Sequence, residues 1–106
     1  MRPAANSDVV ADQASTRCFV YVLVCADGSL YTGWCRDVDR RIAAHRRGRG
    51  SKYVRARLPC RLATFWEVES ASSARKQEAA FKRLRRPQKL RALKARSRQA
   101  LFLTRQ

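Results

Sequence analysis

Five side chains in this sequence have the types and spacing to do chemistry together: Tyr21, Tyr31, Arg41, His45 and Glu78. Hydrolysis of a phosphodiester needs an activated water, neutralisation of charge at the phosphate and, usually, a divalent metal. A tyrosine can hold or deprotonate water if nearby cations lower its pKa. An arginine matches phosphate with two parallel donors. A lone glutamate among cations can hold a hydrated Mg²⁺ that keeps most of its waters. Glu78 is such a residue, being the only acid after Glu69.

The elements that must position these groups follow from pattern. Phe19 to Gly33 (FVYVLVCADGSLYTG) reads as two strands around an Asp27-Gly28 turn signal, rich in β-branched and aromatic residues. A two-residue turn would put Tyr21 and Tyr31 on opposite faces. A three-residue loop, Ala26-Asp27-Gly28, pairs Cys25 with Ser29, Leu23 with Tyr31 and Tyr21 with Gly33, and both phenols then share a face. Gly28 suits the left-handed position of that loop, so the three-residue register is expected. Asp37 caps a helix over 38–47, which Gly48 and Gly50 end, and Arg41 and His45 share one of its faces. Residues 48–59 read as a loop in which Lys52, Arg55 and Arg57 surround Tyr53. This suits either phosphate contact or a solvated basic surface. Residues 61–68 form a third strand, with Phe65 and Trp66 as its large apolar side chains. A second helix covers 74–84, with Ser70 to Ser73 as caps and Phe81 and Leu84 on its buried side. Pro87 opens a third helix over 88–97.

The remaining stretches bound the domain. Residues 1–16 read as a flexible tail, 17–97 as one domain and 98–106 as a C-terminal tail, in which Leu101 to Leu103 either dock or stay disordered. The chain has 106 residues, enough for one small core. Twenty-four Lys and Arg stand against eight Asp and Glu, a net charge of +16. That balance favours a polyanionic partner, nucleic acid first. Nine of the basic residues fall between Lys82 and Arg98 with no acid among them, and Lys82, Arg85 and Arg86 head that nucleic-acid-facing run. Four cysteines and one histidine lack zinc-ligand spacing and read as buried thiols. No apolar run reaches membrane-spanning length, and the N-terminus has no signal-peptide core, so an intracellular, cytoplasmic and nucleoid-associated protein is expected.

Phe19-Val20-Tyr21 followed ten residues later by Tyr31-Thr32-Gly33 resembles the paired motifs of the GIY-YIG nuclease family. Residues 36–45 (RDVDRRIAAH) look like that family's next motif, with Arg41 the aligned arginine and Arg40 the alternative register. Glu78 falls where the family has its metal-binding glutamate. Y-V-x-x-C-A-D-G-S-L-Y-T-G and H-x-x-G-x-G-S-K-Y are similar to the small stand-alone (YhbQ-like) members. FVY and YTG replace GIY and YIG, as in those members, and a late asparagine of some relatives has only Gln88 as a loose counterpart. The likeness spans about Cys18 to Leu93.

The resemblance implies an α+β fold, a three-stranded antiparallel sheet flanked by about three helices. It implies one Mg²⁺ or Mn²⁺ and hydrolysis of a DNA strand in repair, recombination or nucleic-acid processing. Carried over, Tyr21 is the general base or orients the water, and Tyr31 bonds water or phosphate. Arg41 stabilises the scissile phosphate, while His45 assists proton transfer or contacts phosphate. Glu78 binds the metal, and Gly33 lets backbone and substrate approach. Each residue also has a plainer reading: strand tyrosines pack, Trp34 and Trp66 line core or groove, and Glu78 offsets Arg75 and Lys82 along its helix. Two function classes follow. One is a metal-dependent endonuclease on DNA, including branched, damaged or single-stranded forms, with RNA left open. The other is a non-catalytic nucleic-acid-binding module of the same fold. A ribosome-type RNA-binding protein would leave the five residues unexplained.

Overall fold

The computed structural model describes residues 17–105, with side chains described through Arg96. The expected N-terminal tail, residues 1–16, and the side chains Leu101 to Leu103 lie outside these. The order is β1 (Cys18–Cys25), β2 (Leu30–Cys35), α1 (Val38–Arg46), α2 (Lys52–Arg55), β3 (Cys60–Val68), α3 (Ala71–Arg83) and α4 (Arg86–Arg105). The strands form one antiparallel sheet in the order β2-β1-β3. This is the three-stranded α+β arrangement expected from the sequence.

β1 is central and covered on both faces, so Val20, Tyr21, Val22 and Leu23 are at most 1% exposed. Its apolar run has no polar alternation for that reason. The β1–β2 turn has the three-residue form. Gly28 N–H donates to Cys25 O, Cys25 N–H donates to Ser29 O, and Gly28 has φ 83°. Tyr21 therefore opposes Gly33, and Leu23 opposes Tyr31. Along β3 the register shifts between Val22 and Leu23, which leaves Ala63 unpaired. This bulge turns Leu62 and Cys60 onto the face that carries Tyr21, where they join its core.

The two sheet faces bury separate cores. On one, Tyr21, Leu23, Cys25 and Cys35 pack with Ile42 of α1 and Val54 of α2. On the other, Cys18, Val20 and Val68 meet Ala74 of α3, and Val22 meets Phe81 of α3 and Leu93 of α4. All four cysteines are buried in these clusters or beside them. Asp37 Oδ1 accepts the Arg40 N–H at 3.1 Å and caps α1 as expected. Ser70 Oγ accepts from Ser73 N–H and starts α3 three residues before the expected boundary.

Two expectations are corrected, for the 48–59 loop and for the C-terminal tail. The 48–59 loop contains α2, because Ser51 Oγ accepts the Val54 N–H and Val54 is buried. Phe65 is 48% exposed and is shielded from one side by Phe19, with ring centroids 6.0 Å apart. The last helix starts at Arg86 and runs to Arg105, through the stretch read as a tail. Gln88 Oε1 accepts the Arg85 N–H at 2.9 Å, which satisfies an amide at the start of α4 and accounts for the Gln88 carboxamide. Among the described residues, no helix is long and apolar enough to cross a membrane.

Phe81 ties the sheet to both α3 and α4, is 6% exposed and lies 6.0 Å from the Trp66 ring. Phe81→Ala is expected to lower unfolding free energy by about 3–5 kcal/mol, read from urea denaturation.

Candidate active site

β1, β2 and α1 bring four of the five expected groups together. The Tyr21 hydroxyl lies 2.8 Å from His45 Nε2. The Tyr21 and Tyr31 ring centroids are 6.4 Å apart, and Tyr31 stands edge-on to His45 at 5.3 Å. Arg41 is close enough to Tyr21 for its positive charge to favour the phenolate. Tyr21 and His45 are fully covered, at 1% and 0% exposure, whereas Tyr31 is half-buried and Arg41 is exposed.

Two glycines make room for this packing. A Cβ on Gly33 would lie 2.6 Å from the Tyr21 hydroxyl and 2.8 Å from Cζ. The phenol thus lies across its cross-strand partner. The close approach expected at Gly33 is made by Tyr21, and substrate is not needed to explain it. A Cβ on Gly50 would overlap the His45 ring at Nδ1, Cγ and Cε1. The H-x-x-G-x-G spacing carried this second signal, beside its readings as a helix stop and as a family motif.

The electrostatics bear on two expected roles. Burial, then Tyr31, raises the Tyr21 pKa far above the ordinary tyrosine value, and Arg41 only partly offsets them. Tyr21 is therefore a neutral phenol, and the condition under which cations would acidify it is not met. Burial and then Arg41 hold the His45 pKa below its ordinary 6.5. His45 is neutral and touches Tyr21, and at zero exposure it makes no direct phosphate contact. Which of the two groups donates in their hydrogen bond follows the imidazole tautomer, and Nδ1 is buried without a hydrogen-bond partner.

A brace from the β1–β2 turn supports the cluster. Asp27 Oδ1 accepts from Ser29 N–H and Oγ–H, and its Oδ2 lies 3.3 Å from Arg57 Nε. The Ser29 hydrogen bonds, more than Arg57, lower the Asp27 pKa. Arg57 also donates to Tyr53 O at 3.0 Å, and its guanidinium lies 3.8 Å from the Tyr53 ring centre. Tyr53 in turn stacks on Tyr31 at 5.9 Å and 28°. Arg57 and Tyr53, expected on a nucleic-acid surface, are thus engaged in holding Tyr31. Lys52 and Arg55 are exposed on α2. Arg85 and Arg86 are exposed at the α3–α4 corner, with Arg86 beside Gly28.

Glu78 is not joined to the phenols by any contact among the described residues. It stands on α3, which packs on the other sheet face, mainly across β2 and β1. Its carboxylate bonds Lys82 Nζ at 2.7 Å, and its side chain is 20% exposed. That is the contact of its plainer reading, and it engages Lys82 as well. Arg75, three residues earlier and so on the same face of α3, lies 5.5 Å from the ring of Trp34 on the edge strand β2. Among the described residues, no group of three His, Cys, Asp or Glu could cage a metal. One carboxylate fits only an ion that keeps most of its waters.

Comparison with known proteins agrees with this geometry. Residues 17–91 match the model of the GIY-YIG catalytic domain. The chain is 48% identical over 73 residues to a UPF0213 protein of Streptococcus pneumoniae, covering 69% of this chain and 74% of that protein. It is 45% identical over 78 residues to a UPF0213 protein of Staphylococcus aureus, covering 74% and 95%. The solution NMR structure of the UPF0213 protein BH0048 from Bacillus halodurans superposes with a TM-score of 0.51 at 43% identity, covering 74% of this chain and 84% of that one.

The His45 environment sets a pH dependence. Above 6.5 the imidazole is neutral in both folded and unfolded chains. Below that value the unfolded chain takes up a proton that the folded chain resists, so stability falls. The urea midpoint is expected to drop between about pH 7 and about pH 5, and His45→Gln is expected to flatten that part of the profile.

Proposed function

The chain belongs to the GIY-YIG catalytic-domain family, and from that premise we propose that it is a divalent-metal-dependent endonuclease that hydrolyses DNA phosphodiester bonds. The observation that carries this reading is the Tyr21 hydroxyl hydrogen-bonded to the buried His45 imidazole at 2.8 Å, with the Arg41 guanidinium near it. A tyrosine that merely fills a sheet face has no need of both partners.

Arg41 and Tyr31 are the members of the group that a phosphate reaches without opening the core. Arg41 turns its guanidinium onto the phosphate and leaves one lone pair of the Tyr21 oxygen to a water. As that water attacks phosphorus, the bond from phosphorus to the leaving strand oxygen breaks and that oxygen takes a proton from solvent, while the proton of the attacking water passes to the Tyr21 oxygen and the phenol proton passes to His45 Nε2. The high pKa of Tyr21 suits this relay, because no free phenolate has to persist in the buried site. His45 receives the proton because it starts neutral. Tyr31, held by Tyr53, orients the water or a phosphate oxygen. Glu78 would hold Mg²⁺ or Mn²⁺ once Lys82 releases its carboxylate. The ion supplies Lewis-acid stabilisation of charge on the phosphate.

The test is cleavage of linear, nicked, branched and single-stranded DNA, with RNA alongside, in Mg²⁺ and Mn²⁺. Tyr21→Phe removes the relay proton but keeps the ring over Gly33, and it is expected to slow cleavage by about 10²–10⁴-fold. Full activity in that variant would refute the relay. Glu78→Ala is expected to lose metal-dependent cleavage while DNA binding persists, and unchanged cleavage would remove its metal role. Binding by the wild-type chain with no cleavage of any substrate would leave the non-catalytic module as the function.

A further inference from the structure

A groove of ≈ 600 Å³ opens where the end of β2 meets the first turns of α1, and Arg41 is part of its wall. Trp34, Arg36, Asp37 and Arg40 line the rest of the part that matters here. Arg36 and Arg40 are exposed, and neither has an ion-pair partner among the described residues. Asp37 is the single acid in the wall, and its Oδ1 accepts from the Arg40 N–H as the α1 cap. Arg75 adds a fourth guanidinium from α3, 5.5 Å from the Trp34 ring centre. Trp34 is half-buried and anchored from below by the Cys18, Val20, Val68 and Ala74 cluster, so its position is fixed.

Three arginines and one carboxylate line this groove, and an anion placed among the guanidiniums relieves their mutual repulsion. A small anion would use the arginines and ignore the indole. A polynucleotide uses both, because phosphates take guanidiniums while bases rest on aromatic surfaces. We propose that this groove seats the nucleotide next to the scissile phosphate. Its phosphates lie on Arg36 and Arg40, its base rests against Trp34, and Arg41 marks the step to Tyr21. The inference rests on the nuclease reading above and assigns the flanking subsite of that same site. It moves the nucleic-acid contact away from Arg57 and Lys82, whose charges meet Asp27 and Glu78.

The experiment compares two double charge reversals of equal charge change, Arg36→Glu/Arg40→Glu in the groove and Lys52→Glu/Arg55→Glu on the rival surface of α2. Fluorescence anisotropy without metal reads binding to one labelled DNA sequence, presented as a single strand and as a duplex, over a range of salt. For the form that wild type binds, the groove pair is expected to lose more than about tenfold in affinity and to flatten the salt dependence by about two phosphate contacts. The α2 pair is expected to lose less than about threefold in affinity. In fluorotryptophan-labelled wild type, DNA is expected to shift the Trp34 fluorine resonance, assigned with Trp34→Phe, and to leave that of Trp66 in place. An equal or larger loss in the α2 pair, or an unmoved Trp34 signal at saturating DNA, overturns the inference while the nuclease reading stands. A wild-type protein that binds neither DNA form overturns the nuclease reading itself.

Discussion

The Tyr21 phenol crosses the bare backbone of Gly33 and ends 2.8 Å from His45 Nε2, and this one placement couples sheet to helix. Only a residue without a Cβ at position 33 admits the ring. Only the three-residue turn puts Gly33 opposite Tyr21. His45 in turn occupies space that a side chain at Gly50 would take. The hydrogen bond therefore depends on three separated glycines: Gly28 for the register, Gly33 for the ring and Gly50 for the imidazole. The buried Nδ1 without a partner is a cost of the same arrangement, of the kind found where a site is organised for chemistry at the expense of stability.

Burial decides the protonation states in this cluster. In water, a nearby arginine would favour phenolate and leave an imidazole free to titrate. At 1% and 0% exposure, desolvation outweighs the help that Arg41 gives a Tyr21 phenolate, while for His45 desolvation and Arg41 act together against the charged form, and both groups stay neutral. The relay leaves Tyr21 neutral at its end and places the transferred charge on His45. The Arg41 cation itself stays at the surface, where hydration stabilises it and a phosphate can meet it. The division into a buried neutral pair and an exposed charge follows from α1, whose Arg41 and His45 are four residues apart, with His45 turned further into the core.

The basic surface is less uniform than its charge suggests. Some cations have internal tasks: Arg57 links the hairpin turn to Tyr53, Lys82 meets Glu78, and Arg96 lies 3.7 Å from the centre of the Trp66 ring. Others, such as Arg36 and Arg40, stand in a groove beside the phenols. Net charge alone cannot separate these, because it sums over the chain. Which cation is available to a ligand depends on which acid or aromatic surface the fold has put next to it.

The sequence by itself determined the hairpin register, the shared face of the two tyrosines, the Asp37 cap and the pairing of Arg41 with His45 on one helix. These depend on neighbours within a few residues or across one tight turn, where turn chemistry and strand or helix period leave little freedom. Tertiary structure decided the rest. The bulge at Ala63 answers to β1, across the sheet. The one-turn helix α2 exists because Val54 finds a core. The phenol is neutral because α1 and α2 cover it, and Arg57 is a brace because Asp27, thirty residues earlier in the chain, lies within 3.3 Å. The carboxylate of Glu78 and the groove at Trp34 lie on opposite sides of that division. A lone acid in a basic run is visible as a string of letters. A guanidinium-lined cleft forms only where β2 and α1 meet, and local sequence carries no record of what will be its neighbour in space.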